Sequence, residues 1–286
     1  MKHSLHSSFY PHIDAHKFTT VVKKLRQFFD NKGLLEVHTQ NRLSILSACE
    51  NPHSIAKFTY NHNVYPLPQT GQMWLEHELL TQPQEKGFYC LSTSYRNEEA
   101  PIEGRHCMIF PMFEFESAGD FFELKKLEKE LLGFLGFKEP SSLSYQSICQ
   151  KYNIDVIEAE HETQLAYEYG SCISLEHFPG YTNPFWNMKS QDGYTYSKID
   201  VLLHGMETIG SAERETDKEK MRDRFHRIEK GEYSALLFNK FGKERVMSEL
   251  ETYLSLPMMK RFGGGIGLTR LERAMKLEGL LPKESL

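Results

Sequence analysis

The sequence predicts an α+β fold, a strand hairpin together with separate amphipathic helices, and three observations point to it. The segment Phe88-Tyr89-Cys90-Leu91 has strand composition, and Met112, Glu114 and Glu116 alternate with Phe113 and Phe115; a polar loop with Pro101 and Gly104 joins the two as a hairpin. Two other stretches, Phe18 to Asn31 and Asp120 to Leu135, repeat apolar residues at the three-and-four spacing of amphipathic helices. A glycine run, Gly263-Gly264-Gly265, leads into a further helical stretch at Leu271 to Leu280. The chain has 286 residues, enough for one large domain or two small ones, and its 40% hydrophobic content fills a sizeable core.

In chain order, Val21, Val22, Leu25, Phe28 and Phe29 form the inner face of the first helix, and Gly33 stops it. Leu34 to Thr39 reads as a strand. Met73, Trp74, Leu79 and Leu80 form one helix face, with Gln72 and Glu76 on its polar side. In the third helix the stripe is Leu124, Leu127, Leu131, Leu132 and Leu135, with Asp120 as N-cap. Residues from Leu143 to Tyr169 read as a connecting helical region that carries no chemistry. Tyr194 to Leu203 alternates like a strand and holds Asp200. Asp217 to Lys230 is a charged helix, and Glu244 to Leu256 a helix closed by Pro257.

Net charge is −5, so no global basic footprint points to nucleic acid. The five cysteines make no C-x-x-C pair and no metal spacing, which fits reduced thiols and a cytoplasmic location. The N-terminus lacks the apolar run of a signal peptide, and no stretch approaches the roughly 20 apolar residues that span a bilayer.

The loop between the hairpin strands gathers Arg96, Glu98, Arg105 and His106, and guanidinium forks match phosphate oxygens in pairs. Arg96-x-Glu98, the loop, Arg105-His106 and the alternating glutamate strand resemble motif 2 of the class II aminoacyl-tRNA synthetases. Gly263-Gly264-Gly265-Ile266-Gly267-Leu268-Thr269-Arg270 resembles motif 3, and the first helix with Gly33 and Leu34 to Thr39 resembles motif 1, which forms the dimer interface in that family. The resemblance runs from about Lys17 to Lys276. It implies an antiparallel catalytic sheet flanked by helices, a homodimer, and ATP with Mg²⁺.

By the same resemblance, Arg96 contacts the α-phosphate and the substrate carboxylate, and Glu98 holds the adenylate. Arg105 and His106 reach the outer phosphates, Phe110 stacks on adenine, and Gly267 lets the backbone approach the nucleotide. Arg270 then meets the γ-phosphate. Gly205 to Glu215 resembles the Gly-Glu-Ile-x-Gly-x-Gln-Arg-Glu segment of asparaginyl synthetases, so Asp200 and Glu207 stand as magnesium ligands and Arg214 grips a side-chain oxygen. Glu50, Gln72 and Glu76 match positions that hold the amino acid. The chain departs from the family pattern at several positions: Asn51-Pro52 stands where glycines usually follow the glutamate matched by Glu50, Gln40 replaces proline, Ile109 and Glu213 replace glutamate and glutamine, and Thr269 replaces an acid.

The expected organisation is a leader of residues 1–16 followed by one catalytic domain, residues 17–286, without the anticodon-binding barrel of the family. The expected function is an AMP-forming ligase that activates aspartate, asparagine or a close analogue. Ammonia or an amine then takes the acyl group, as in the free-standing archaeal asparagine synthetase-related paralogue. A tRNA partner is then unexpected beyond an acceptor stem. Two other readings are acyl transfer to a tRNA or protein by a truncated paralogue, and a catalytically silent regulatory paralogue.

Overall fold

The computed structural model of the chain describes residues 13–39 and 52–281. Helix α1 (Ala15–Lys32) starts three residues before its apolar stripe. Asp14 sits at the N-cap and accepts from the amides of His16 and Lys17 at 2.9 and 3.0 Å. Gly33 ends it in the left-handed region at φ 79°. The predicted strand after it is far shorter than expected: only β1 (Leu35–Glu36) pairs, and its side chains are exposed.

A small separate hairpin follows, β2 (Lys57–Tyr60) and β3 (Asn63–Pro66), then α2 (Gln72–Thr81). The predicted central hairpin is present as β4 (Gly87–Tyr95) and β5 (Ile109–Ala118), in unbroken register from Gly87–Ser117 to Tyr95–Ile109. Next come α3 (Phe121–Leu135), β6 (Ser141–Ser144), α4 (Tyr145–Tyr152) and α5 (Ala159–Tyr169). Helix α3 is closed by a full capping box between Asp120 and Glu123. Three strands complete the far half, β7 (Cys172–Pro179), β8 (Thr195–Leu203) and β9 (Glu207–Glu213). Helices α6 (Lys218–Arg227), α7 (Glu232–Phe241) and α8 (Lys243–Ser255) precede β10 (Arg261–Gly267) and α9 (Leu268–Leu277).

One eight-stranded sheet joins these, in the order β1-β4-β5-β10-β9-β8-β7-β6. Its six inner strands pair antiparallel, and the edge pairs β1–β4 and β6–β7 are parallel. β10, last in the chain, lies at the centre between β5 and β9. This brings residues about 150 positions apart into one register: Gly263 faces Glu116 and Gly265 faces Glu114.

Helices α1, α3 and α9 cover one face. Leu25, Phe29, Leu131 and Leu271 meet Phe113, Phe115, Ile199 and Ile209 there, all completely buried. Each such side chain contributes about 2 kcal/mol of hydrophobic stabilisation. Phe113 is thus a core residue, stacked 5.1 Å from both Phe29 and Tyr89. On the other face α2 lays Leu75 and Leu79 on Phe88 and Cys90. A second core around Trp74, Trp186, Phe225 and Leu250 ties α2 to α6, α7 and α8. Among the described residues, no helix is long and apolar enough to cross a membrane.

Candidate active site

The uncovered part of that second sheet face is a cleft of about 430 Å³. Strand alternation builds its floor. Because Phe113 and Phe115 turn into the helical core, Met112, Glu114 and Glu116 turn to the opposite side. A polar strand face would ordinarily be solvated. Here Glu114 and Glu116 are buried, because they lie mid-sheet under α2.

The glycine run makes room for them. A Cβ at Gly263 would lie 1.8 Å from Glu116 Oε2, and one at Gly265 would lie 2.8 Å from Met112 Cε. The need is space rather than backbone freedom: a side chain on β10 would occupy the volume that the β5 carboxylates use.

Eleven of the sequence-predicted residues line this one cleft: Gln72, Arg96, Glu98, Arg105, His106, Phe110, Asp200, Glu207, Arg214, Gly267 and Arg270. Arg96 lies over Phe110, with the guanidinium carbon 5.3 Å from the ring centroid. His106 Nδ1 meets Glu98 Oε2 at 2.6 Å. Arg270, in the first turn of α9, donates to the Glu207 carbonyl at 2.7 Å and to the Arg105 carbonyl at 3.3 Å. It therefore ties the β4–β5 loop to the first residue of β9.

Asp200 Oδ1 is buried without a hydrogen-bond partner. A Cβ at Gly210 would lie 3.0 Å from Glu207 Oε1 and 3.6 Å from that oxygen, so the two carboxylates converge above a glycine. Lys198 Nζ holds the other Asp200 oxygen at 2.7 Å. Burial nevertheless raises the Asp200 carboxyl to about 7, and nearby Glu207 adds to the rise. Two convergent carboxylates, one with an unsatisfied oxygen, suit a divalent cation that takes its other ligands from phosphate and water. No larger cluster of metal-binding side chains occurs among the described residues.

The far end of the cleft is a buried ionic network. Arg214 Nη2 lies 3.4 Å from Glu116 Oε2, and its Nε is 3.6 Å from Glu76 Oε1. Gln72 Nε2 donates to Glu116 at 2.5 Å and to the Phe115 carbonyl at 3.0 Å. Glu114 accepts from Thr70 Oγ1, Ser92 Oγ and the Gly71 amide.

Burial pushes the Glu116 carboxyl up to about 8, against the pull of Arg214. Glu76 goes the other way. Burial would raise it, but Arg261, then Arg214, outweigh burial and hold it below the usual carboxylate range. The geometry supports this split, since Glu76 takes two bonds from Arg261, at 2.7 and 3.1 Å, whereas Glu116 has no contact with a guanidinium closer than 3.4 Å. Arg214 thus shares Glu76 with Arg261 and meets Glu116, whose burial disfavours its charged form.

Several expectations change. Glu76 does not line the cleft: its carboxylate is fully buried and spent on Arg261, Tyr253 and Asn187, so it supports Arg214 from below. Arg105 lines the cleft, but its guanidinium is engaged by Glu162 of α5 and by the Gly205 carbonyl at 3.3 Å. The region from Leu143 to Tyr169, read as connecting only, thus supplies a carboxylate that pairs with a cleft-lining arginine. Glu213 lies outside the cleft lining and pairs with Lys189 at 2.6 Å, so that departure does not touch the pocket. Ile109 is exposed and also outside the lining, whereas Thr269 lines the cleft. Glu50 and Gln40 lie outside the described residues.

Lys198 and Arg261 were not singled out from the sequence, and Glu114 and Glu116 were read only as one face of a strand, with no site role. The available signal was a strand of alternating glutamates paired with a strand of consecutive glycines.

A sequence profile of the class II tRNA synthetases (D, K and N) matches residues 14–278. The chain belongs to that family. Its curated relatives include the lysine–tRNA ligase of Clostridium acetobutylicum, 25% identical over 243 residues, which cover 81% of this chain and 39% of the relative. In the ligase of Thermoanaerobacter sp. strain X514, 29% identity extends over 126 residues, covering 43% of this chain and 24% of the relative. This synthetase-family chain thus spans about two fifths of the first relative's length. Its fold matches that of Pyrococcus horikoshii asparaginyl-tRNA synthetase complexed with asparaginyl-adenylate. There the TM-score is 0.75 at 20% identity, over 90% of this chain and 64% of that one. The asparaginyl-tRNA synthetase of Entamoeba histolytica superposes with a TM-score of 0.70 at 17% identity, over 92% and 63%.

Proposed function

We propose that the chain forms an aminoacyl-adenylate from ATP and an amino acid whose side chain ends in oxygen, aspartate or asparagine or a near analogue. The observation that carries this reading is Arg214, a buried guanidinium at the end of a cleft that also holds Arg96 and Arg270. An amino-acid carboxylate oxygen attacks the α-phosphorus, the bond to the bridging oxygen breaks, and pyrophosphate leaves. Negative charge accumulates on the α-phosphate oxygens in that step, so a fixed Arg96 lowers the barrier. Arg270 and His106 take the outer phosphates, and Phe110 with Arg96 over it offers a stacking surface for adenine. Asp200 and Glu207 would hold Mg²⁺, which offsets charge on the departing pyrophosphate.

Lysine is the second reading, since the curated relatives are lysine–tRNA ligases. A lysine ammonium would have to face Arg214 unless Glu114 and Glu116 both ionise, which their burial opposes. Pyrophosphate exchange with aspartate, asparagine and lysine separates the two. The first reading requires exchange with the oxygen-bearing pair and about 100-fold less with lysine, the size of a lost buried charge complement. Exchange with lysine alone contradicts it.

Ammonia or an amine is the proposed acyl acceptor, with a tRNA acceptor stem or a protein as the alternatives. Labelled amino acid incubated with a cell lysate shows whether label enters a small molecule, RNA or protein. The same reading pairs two copies through α1 and the exposed edge of β1, where Leu35 faces solvent. Light scattering that returns the mass of one chain, 33.3 kDa, contradicts the dimer.

A further inference from the structure

We propose that Glu162 is a positioning residue for the nucleotide site: it fixes Arg105 and, through Arg105, the loop between β4 and β5. The proposal deepens the function inferred above and rests on it for its catalytic consequence. Helix α5 buries only Leu165 completely, and most of its surface is solvated. Glu162, one turn away on the same face, nevertheless turns inward, and its side chain is only 17% exposed. Its carboxylate accepts from Arg105 Nη2, and the Glu207 amide lies 3.4 Å from the same oxygen.

The helix is seated where it can do this. A Cβ at Gly205, in the turn between β8 and β9, would lie 2.9 Å from Thr163 Cα. The turn and the helix therefore meet at a distance only glycine permits, and the Gly205 carbonyl accepts from Arg105 Nη1 at 3.3 Å. Arg270 closes the arrangement by donating to the Arg105 carbonyl. One loop residue is thus held at its side chain by α5 and at its backbone by α9.

ATP does not readily capture Arg105 from Glu162. Releasing it would leave a half-buried carboxylate beside Glu207 with no cation, and an unpaired buried charge is costly. A guanidinium has five N–H donors. Two face Glu162 and Gly205, so Arg105 stays anchored and presents the remainder to the cleft it lines. Glu162 then acts on ATP without touching it.

The test uses Glu162→Gln, Arg105→Gln and the double variant in the full chain, with two readouts. In nucleotide-free protein, hydrogen exchange at residues 97–108 should speed up roughly tenfold in Glu162→Gln while the β4–β5 ladder is unchanged. In pyrophosphate exchange, KM for ATP should rise roughly tenfold with kcat within about threefold. The double variant should be little worse than Arg105→Gln alone. Unchanged exchange in the loop, additive effects, or a KM for ATP that falls would each overturn the proposal, the last by showing that Glu162 competes with ATP for Arg105. A wild-type chain inactive in pyrophosphate exchange would count against the function inferred above, and hydrogen exchange would still decide the anchoring.

Discussion

Glu128 shows how a single side chain in this molecule is set by burial. Glu128 reaches up from α3, accepts from Ser211 Oγ at 2.6 Å, and leaves Oε2 without a partner in the core. Burial raises its carboxyl to about 8, with Asp200 and Glu176 adding to the rise. In the unfolded chain it ionises near 4.5, so between those two values the unfolded state releases a proton that the native state retains. Stability therefore falls as pH rises from about 4.5 to 8 and is flat above. Glu116, also raised to about 8, and Asp200, raised to about 7, act with the same sign. Thermal unfolding should thus give a lower midpoint at about pH 8.5 than at about pH 5, and Glu128→Gln should shrink the difference. A difference that Glu128→Gln leaves intact would contradict this account. The spacing from Leu124 and Leu132 puts Glu128 on the inner face of its helix, but the sequence does not show what it meets there. Its burial depends on β9, which arrives some eighty residues later.

At the scale of elements, the pairing of β5 with β10 makes the site. Gly263→Ala would push a methyl into Glu116, Gln72 and the Phe115 carbonyl, all within 2.5 Å. It should cost about 3 kcal/mol and remove amino-acid activation. At Gly104, in the β4–β5 loop, an added Cβ meets nothing within 4 Å, though φ there is 77°. Alanine at that position should cost about 1 kcal/mol, from backbone strain alone. Denaturant unfolding of both variants checks the contrast, and equal losses would mean that cleft packing is not what the glycines serve. The hairpin, α1, α3 and the glycine strand were legible because each carries its own period or punctuation. Helix α7 and the chemistry of α5 were not. Glu162 has an ordinary helical context, and only the turn at Gly205 shows what it faces. The shortness of β1 was equally hidden: its pairing ends at Tyr89, although β4 runs on to Tyr95.

At the scale of the molecule, the sheet is a device for convergence. Arg96 leaves the end of β4, Arg270 opens α9, and Arg214 follows β9, yet all three line one cleft. Their roles were read from motif resemblance, and the topology explains why the motifs lie so far apart: β10 inserts between strands laid down earlier. The network beneath them could not be read in this way. Arg261, Glu76, Tyr253 and Asn187 come from four separate segments and meet only in the folded chain. Calorimetric titration of ATP with Mg²⁺ into the wild-type chain, Arg96→Ala and Arg270→Ala tests the central claim most directly. Saturable binding by the wild type, weakened about 100-fold by either substitution, is the predicted result. No heat from the wild type, or affinity unchanged by either substitution, would contradict it.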